Sequence, residues 1–108
     1  GDTVVITGME HHSNILPWQV LCEKFRAQLN VVQVLDDGTL DLKHLNALLA
    51  QRPKMLAITH VSNTLGTINS IEAIVRIAKA CDVPVLVDGA QAVPHMQINV
   101  RALDCDFY

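Results

Sequence analysis

Three short stretches of the chain concentrate the residues able to do chemistry. Residues 8–14 hold Glu10, His11, His12 and Asn14, residues 60–67 hold His60, Ser62 and Asn63, and residues 88–91 hold Asp88 and Gln91. A carboxylate, imidazoles and side-chain amides gathered together suit one of three tasks. Phosphate or dinucleotide binding calls for a glycine-rich loop, and neither GxGxxG after the first strand nor GxxxxGK[ST] occurs. A metal centre could draw on Glu10, His11, His12, His60 and His95. Adjacent histidines on one loop do not readily face one ion, however, and no HExxH or Cys/His spacing is present, so no metal site is expected. The third task is holding an organic cofactor. An imidazole offers a flat face, an Asp carboxylate can pair with a ring nitrogen, and amides can hydrogen-bond to ring substituents, which suits an aromatic nitrogen heterocycle.

The elements between these stretches explain how they meet. Residues 4–7 read as a short buried strand. Pro17, tolerated in a first helical turn, opens an amphipathic helix with Trp18, Leu21, Cys22, Phe25 and Leu29 at helical spacing. A second strand is predicted over 31–34, a turn at Asp36-Asp37-Gly38, and a second helix carrying Leu42, Leu45, Leu48 and Leu49. Residues 55–59 form a third strand. Ser70 is a candidate N-cap for a third helix on Ile71, Ile74, Val75 and Ala78, and residues 83–87 form a fourth strand. Residues up to Asp104 read as irregular or briefly helical, and residues 106–108 as the opening of another strand. Strand–helix alternation of this kind predicts an α/β fold, three layers around a mostly parallel sheet with right-handed crossovers. Ligands of such sheets sit outside the carboxyl ends of strands, which is where the three polar stretches fall.

Composition narrows the function further. Half of the residues are hydrophobic but only 4% are aromatic, as expected for strands buried on both faces. With 8 basic against 11 acidic side chains and no basic run, neither nucleic acid nor an acidic membrane surface is an expected partner. No apolar run approaches the ~20 residues of a membrane span, and the start lacks the pattern of a signal peptide. Three widely spaced cysteines without a CxxC argue against a disulfide framework and for a reducing compartment, the cytoplasm.

The polar stretches also carry a resemblance. Residues 10–19, EHHSNILPWQ, resemble the EHHANxxPWQ segment of SUF-type (group II) cysteine desulfurases, which are fold-type I pyridoxal-phosphate (PLP) enzymes of the class V aminotransferase family. Residues 60–67, HVSNTLGT, resemble that family's HVSNxxGT loop. Residues 87–95 resemble its VDGAQxxxH segment, and residues 103–108 its LDxDFY. The segments follow one another in family order along the whole chain. The resemblance implies that Asp88 pairs with the pyridine nitrogen of PLP, and that His11, favoured over His12 by its place in the motif, stacks on the ring and relays protons. It implies that Asn63 and Gln91 hydrogen-bond near the phenolic oxygen. The reaction so implied takes sulfur from L-cysteine, leaving L-alanine and an enzyme persulfide that supplies iron–sulfur cluster assembly. A homodimer and a sulfur-acceptor protein are the implied partners.

By the same resemblance, residues 1–108 are a single partial PLP-binding large domain, truncated before the Schiff-base lysine of an SGHK segment. The persulfide cysteine and the small domain are expected beyond Tyr108. The 108 residues alone are therefore expected to be inactive, to hold PLP at best non-covalently, and to be marginally stable or self-associating through an exposed sheet edge. Two other readings stand beside this one: a selenocysteine lyase or other fold-type I PLP enzyme, and a non-catalytic α/β binding module. Individual residues also have plainer readings. Asp88 and Asn63 are common turn formers. Trp18, Phe25 and Cys22 read as core, Cys81 and Cys105 as structural, and His44 as surface. His60 and His95 either shape the pocket or cover the sheet.

Overall fold

A computed structural model describes all residues, 1–108. Strand β1 (Thr3–Thr7) is followed by one turn of 3-10 helix (His12–Asn14) and helix α1 (Leu16–Phe25). Then come β2 (Gln28–Val32), α2 (Leu42–Ala50), β3 (Met55–Thr59), α3 (Ile71–Ala80), β4 (Val85–Asp88) and the short α4 (Val100–Leu103). The strands form one sheet in the order β2-β1-β3-β4 with every pairing parallel, as the alternation predicts. Parallel neighbours need crossover connections, and α1, α2 and α3 supply them.

Successive side chains of a strand point to opposite faces, and the sheet sorts its residues accordingly. Val5, Leu56, Ile58, Val85 and Val87 pack against Leu45, Leu48 and Leu49 of α2 and Ile71, Ile74, Val75 and Ala78 of α3, forming the larger core. Val4, Ile6 and Ala57 face the other way, onto Cys22 of α1, with Trp18, Ala27, Leu29 and Leu86 half-buried around them. Because α1 covers one face and α2 and α3 the other, the connections diverge between β1 and β3. That divergence opens a crevice at the carboxyl ends of these two strands. Beyond β4, Phe107 bridges Leu86 in parallel, and Val87 N–H donates to Phe107 O at 2.8 Å, so residues 106–108 do begin a further strand.

Several expectations are corrected. The second strand starts at Gln28, not Val31. Arg26 ends α1 in a left-handed turn (φ 54), and the chain re-enters the sheet at once, with Thr3 opposite Gln28 and Thr7 opposite Val32. Gln28 and Asn30 are tolerated because β2 lies at the edge of the sheet, where polar side chains reach water. Leu29, placed on the helical stripe by its spacing, belongs to this strand. The fourth strand begins after Pro84 rather than at Val83. Trp18 is only half-buried and Phe25 is 66% exposed, because α1 sits on a narrow strip of sheet and sinks only Cys22 fully. Ser70 occupies the N-cap position of α3, but its hydroxyl makes no capping bond. His44 is half-buried, its Nδ1 accepting from Gln33 N–H at 3.1 Å.

The centre of the sheet carries the stability. Leu56 is fully buried between β1 and β4. Leu56→Ala is expected to cost about 2–5 kcal/mol, whereas Phe25→Ala on the open side of α1 stays within about 0.5 kcal/mol. The midpoints of urea unfolding for the two variants check the contrast.

Candidate cofactor site

A cavity of about 180 Å³ opens at the carboxyl ends of β1, β3 and β4. Met9, His11 and Ser13 line it from the loop after β1. Thr59, Val61 and Asn63 come from the end of β3, and Asp88, Ala90 and Gln91 from the end of β4. His11, Asn63, Asp88 and Gln91, singled out in the sequence, are thus brought to one place. His12 and His95 are exposed and do not line the cavity.

The loop after β1 is held by a buried carboxylate. Glu10 is 7% exposed. Its Oε1 accepts from Asn14 Nδ2 at 2.7 Å, and its Oε2 accepts from Thr59 N–H at 3.1 Å and from the Thr7 hydroxyl. Asn14 Oδ1 in turn accepts from Trp18 Nε1 at 3.0 Å, which ties the network to α1. Asn69 Nδ2 donates to Thr59 O at 2.8 Å from the far end of the loop after β3. One carboxylate therefore joins β1, the 3-10 turn and β3. Sequence reading weighed Glu10 as a metal ligand and as a motif marker but missed this role, which depends on Thr59, far away along the chain. The signal open to it was a Glu with an Asn four residues later, beside a strand end.

Asp88 is the last residue of β4, and its carbonyl accepts from His60 N–H at 2.9 Å, so its backbone is set by the sheet. Its Oδ1 accepts from Ala90 N–H at 3.0 Å, and Oδ2 has no protein donor. Behind it the chain comes very close to Tyr108. A Cβ on Gly89 would overlap the Tyr108 ring, so glycine is required for this approach. The Tyr108 hydroxyl lies 3.0 Å from His60 Nδ1, and the two rings meet edge to face at 87°. Burial lowers His60 below the usual imidazole range. Burial also raises the Tyr108 phenol, with the Cys105 and Asp88 charges adding to the effect, so the contact joins two neutral groups at neutral pH. His60 thus props the Asp88–Gly89 turn from behind and is not among the cavity-lining residues. Asn63 and Gln91 lie exposed on turns, and their amides make no hydrogen bond within the protein.

The donor set fits a small aromatic heterocycle. It presents one carboxylate oxygen without a donor, one imidazole and two uncommitted amides around a space below the ~300–1,000 Å³ of drug-sized sites. The aminotransferase class-V family model matches residues 1–108. The chain belongs to this family. Its members are PLP enzymes, and the relatives it matches are cysteine desulfurases. One from Enterobacter sp. (strain 638) is 56% identical over the whole of this chain, which spans 27% of that relative's length. Among solved structures, the apo cysteine desulfurase of Thermococcus onnurineus NA1 superposes with a TM-score of 0.93 at 40% identity, covering 98% of this chain and 26% of that one. The cysteine desulfurase CsdA of Escherichia coli gives a TM-score of 0.93 at 30% identity, covering 100% of this chain and 27% of that one. The chain therefore spans about a quarter of the length of the relatives it matches. No helix in it is long and apolar enough to cross a membrane.

Burial raises Glu10 above the ordinary carboxyl value of 4.5. The bonds from Thr7, Asn14 and Thr59 oppose this, and the nearby Asp88 charge reinforces it. The folded chain then holds a proton at Glu10 more tightly than the unfolded chain. The associated stability is full below 4.5 and is lost as pH rises through the raised folded value. A protonated Glu10 is accommodated because the Thr7 hydroxyl can turn and accept. Glu10→Gln is not: its NH2 must face Asn14 Nδ2 or Thr59 N–H, both donors, and flipping Asn14 would strand Trp18 Nε1. The variant is expected to cost about 1–3 kcal/mol. The deficit should be largest at and below pH 4.5 and narrow as pH rises, as urea unfolding across a pH series would show.

Proposed function

We propose that these residues are part of the PLP-binding large domain of a cysteine desulfurase of the SUF-type group. In this reading the full protein takes sulfur from L-cysteine as L-alanine is formed, and passes it as a persulfide to an acceptor protein for iron–sulfur cluster assembly. The single observation that carries the reading is the convergence of His11, Asn63, Asp88 and Gln91 on one cavity at the switch point of a class-V sheet. The subgroup rests on residues 10–19, 60–67 and 87–95, whose motifs supply every one of these side chains. A homodimer and a cytoplasmic location belong to the same reading. The location is supported by Cys22, Cys81 and Cys105 all being free thiols.

When bound, PLP supplies a protonated pyridine ring that draws electrons from the substrate's α-carbon. Asp88 would hold the proton on the ring nitrogen by a charge-assisted contact from its donor-free oxygen. His11 would give the ring a flat neighbour and a proton donor or acceptor. The amides of Asn63 and Gln91, uncommitted within the protein, would hydrogen-bond near the phenolic oxygen, and Met9 and Val61 would add apolar lining.

The full-length protein supplied with PLP and L-cysteine is expected to form L-alanine and a protein persulfide in equal amounts, quantified by amino-acid analysis and thiol labelling. Asp88→Ala is expected to weaken PLP binding by about 10–100-fold, followed by the cofactor's absorbance. A PLP-loaded protein that makes no alanine from L-cysteine defeats the desulfurase reading. Unchanged PLP affinity in Asp88→Ala defeats the assigned role of Asp88.

A further inference from the structure

The role proposed for Asp88 depends on where its donor-free oxygen points, and residues outside the cavity set that direction. Residues 106–108 run beside β4, with Val85 N–H donating to Asp106 Oδ2 at 2.8 Å and Val87 N–H donating to Phe107 O at 2.8 Å. This pairing delivers Tyr108 to Gly89. A Cβ on Gly89 would overlap Cε1, Cζ and the hydroxyl oxygen of Tyr108, so the ring packs directly on the glycine's backbone. The Tyr108 hydroxyl lies 3.0 Å from His60 Nδ1, and His60 N–H donates to Asp88 O at 2.9 Å. Asp88, His60, Tyr108 and Gly89 therefore form a closed circuit of contacts. Gly89 is also the link between Asp88 and Ala90, whose N–H is the one protein donor to the Asp88 carboxylate. A shift of the backbone at Gly89 would carry that N–H away from Oδ1 and let the carboxylate turn. His60 and Tyr108 do not line the cavity, so each acts on it only through Asp88 and Gly89.

We infer that Tyr108 is a positioning residue for Asp88: its ring, against Gly89, and its hydroxyl, on His60, together fix the Asp88 carboxylate before a ligand arrives. This role rests on the reading given above, since it concerns the carboxylate assigned to the cofactor's ring nitrogen, but the clamp itself needs no cofactor. A fixed carboxylate binds a positive partner more tightly than one that must first be turned into place. The two halves of the clamp divide the task. The ring blocks Gly89 from moving toward Tyr108, and it requires residue 89 to lack a side chain. The hydroxyl keeps the ring there by tying it to His60, which is only 6% exposed and is itself held to β4 through Asp88 O. Tyr108 is 39% exposed, so burial alone does not lock its ring, and the contact with His60 supplies the missing restraint.

Tyr108→Phe in the full-length protein tests this, because it keeps the ring beside Gly89 and removes only the contact with His60. In the apo-protein, amide hydrogen exchange at Ala90 is expected to quicken by about 3–10-fold as its bond to Asp88 Oδ1 loosens. PLP affinity, followed by the cofactor's absorbance, is expected to fall by about 3–10-fold in Tyr108→Phe. The same change made in Asp88→Ala should alter affinity by less than about twofold, because a residue that acts through Asp88 has nothing left to position there. Losses that simply add in the double variant would mark Tyr108 as packing alone and overturn the inference, as would unchanged exchange at Ala90. The inference and the reading beneath it fail separately. A loss of affinity in Asp88→Ala with none in Tyr108→Phe removes the positioning role and leaves the site as proposed. Unchanged affinity in Asp88→Ala defeats the site assignment, and quickened Ala90 exchange in Tyr108→Phe then upholds the clamp without it.

Discussion

The site is organised around one buried carboxylate at the point where two neighbouring strands part company. Glu10 leaves β1 just as the connections on either side of the sheet diverge, and it is almost fully withdrawn from water. An ionised or protonated carboxyl in such a place is tolerable only if its oxygens are matched by donors. The donors come from separate pieces of the fold: Thr7 at the end of β1, Asn14 in the turn before α1, and Thr59 at the end of β3. Satisfying the carboxylate thus dictates where the loop after β1 runs. His11 is the next residue along, and its carbonyl accepts from Asn14 N–H at 2.8 Å, so its placement follows from that of Glu10.

Much of this was legible in the sequence, and the reasons are specific. The three stretches that hold His11, Asn63, Asp88 and Gln91 could be gathered before any coordinates because each follows a strand, and strand ends of a parallel sheet share one rim. Family resemblance then picked out these four residues and separated His11 from His12, which physics alone did not. The contacts that hold these residues were not legible. Thr59 meets Glu10, and His60 meets Tyr108, across nearly half the chain, and no local pattern encodes such pairings. Ser13 is the opposite case. Its N–H donates to His11 Nδ1 at 3.1 Å, a local contact, yet a serine two residues after a histidine on a polar loop carries no pattern of its own.

The errors in secondary structure have a common cause. Apolar spacing reports which residues avoid water, not what covers them. On α1, Trp18, Cys22 and Phe25 read as core, yet the strip formed by Val4, Ile6 and Ala57 buries only Cys22 fully. Leu16, Val20 and Phe25 stay exposed at 57%, 64% and 66%. The same limitation displaced β2. Its strand begins in polar residues because an edge strand needs backbone partners on one side only, and hydrogen bonding to β1 outweighs the low β-propensity of Gln28 and Asn30.

Rigidity is distributed unevenly around the cavity, and the distribution matches the roles proposed for each group. Asp88 is part of the sheet ladder, with His60 N–H on its carbonyl, Ala90 N–H on its carboxylate and the Tyr108 ring against the next residue. In the proposed reading Asp88 meets an opposite charge, and such a charge gains most from being fixed beforehand, because reorienting dipoles after binding forfeits part of the interaction. Asn63 and Gln91, by contrast, sit on exposed turns with free amides, and a neutral hydrogen bond loses little if its partner must settle into place. His11 lies between these extremes: its Nδ1 accepts from Ser13 N–H at 3.1 Å, and its Nε2 has no partner in the protein. One anchored edge steadies the ring plane and the other stays uncommitted, which suits the place beside a cofactor ring proposed for it.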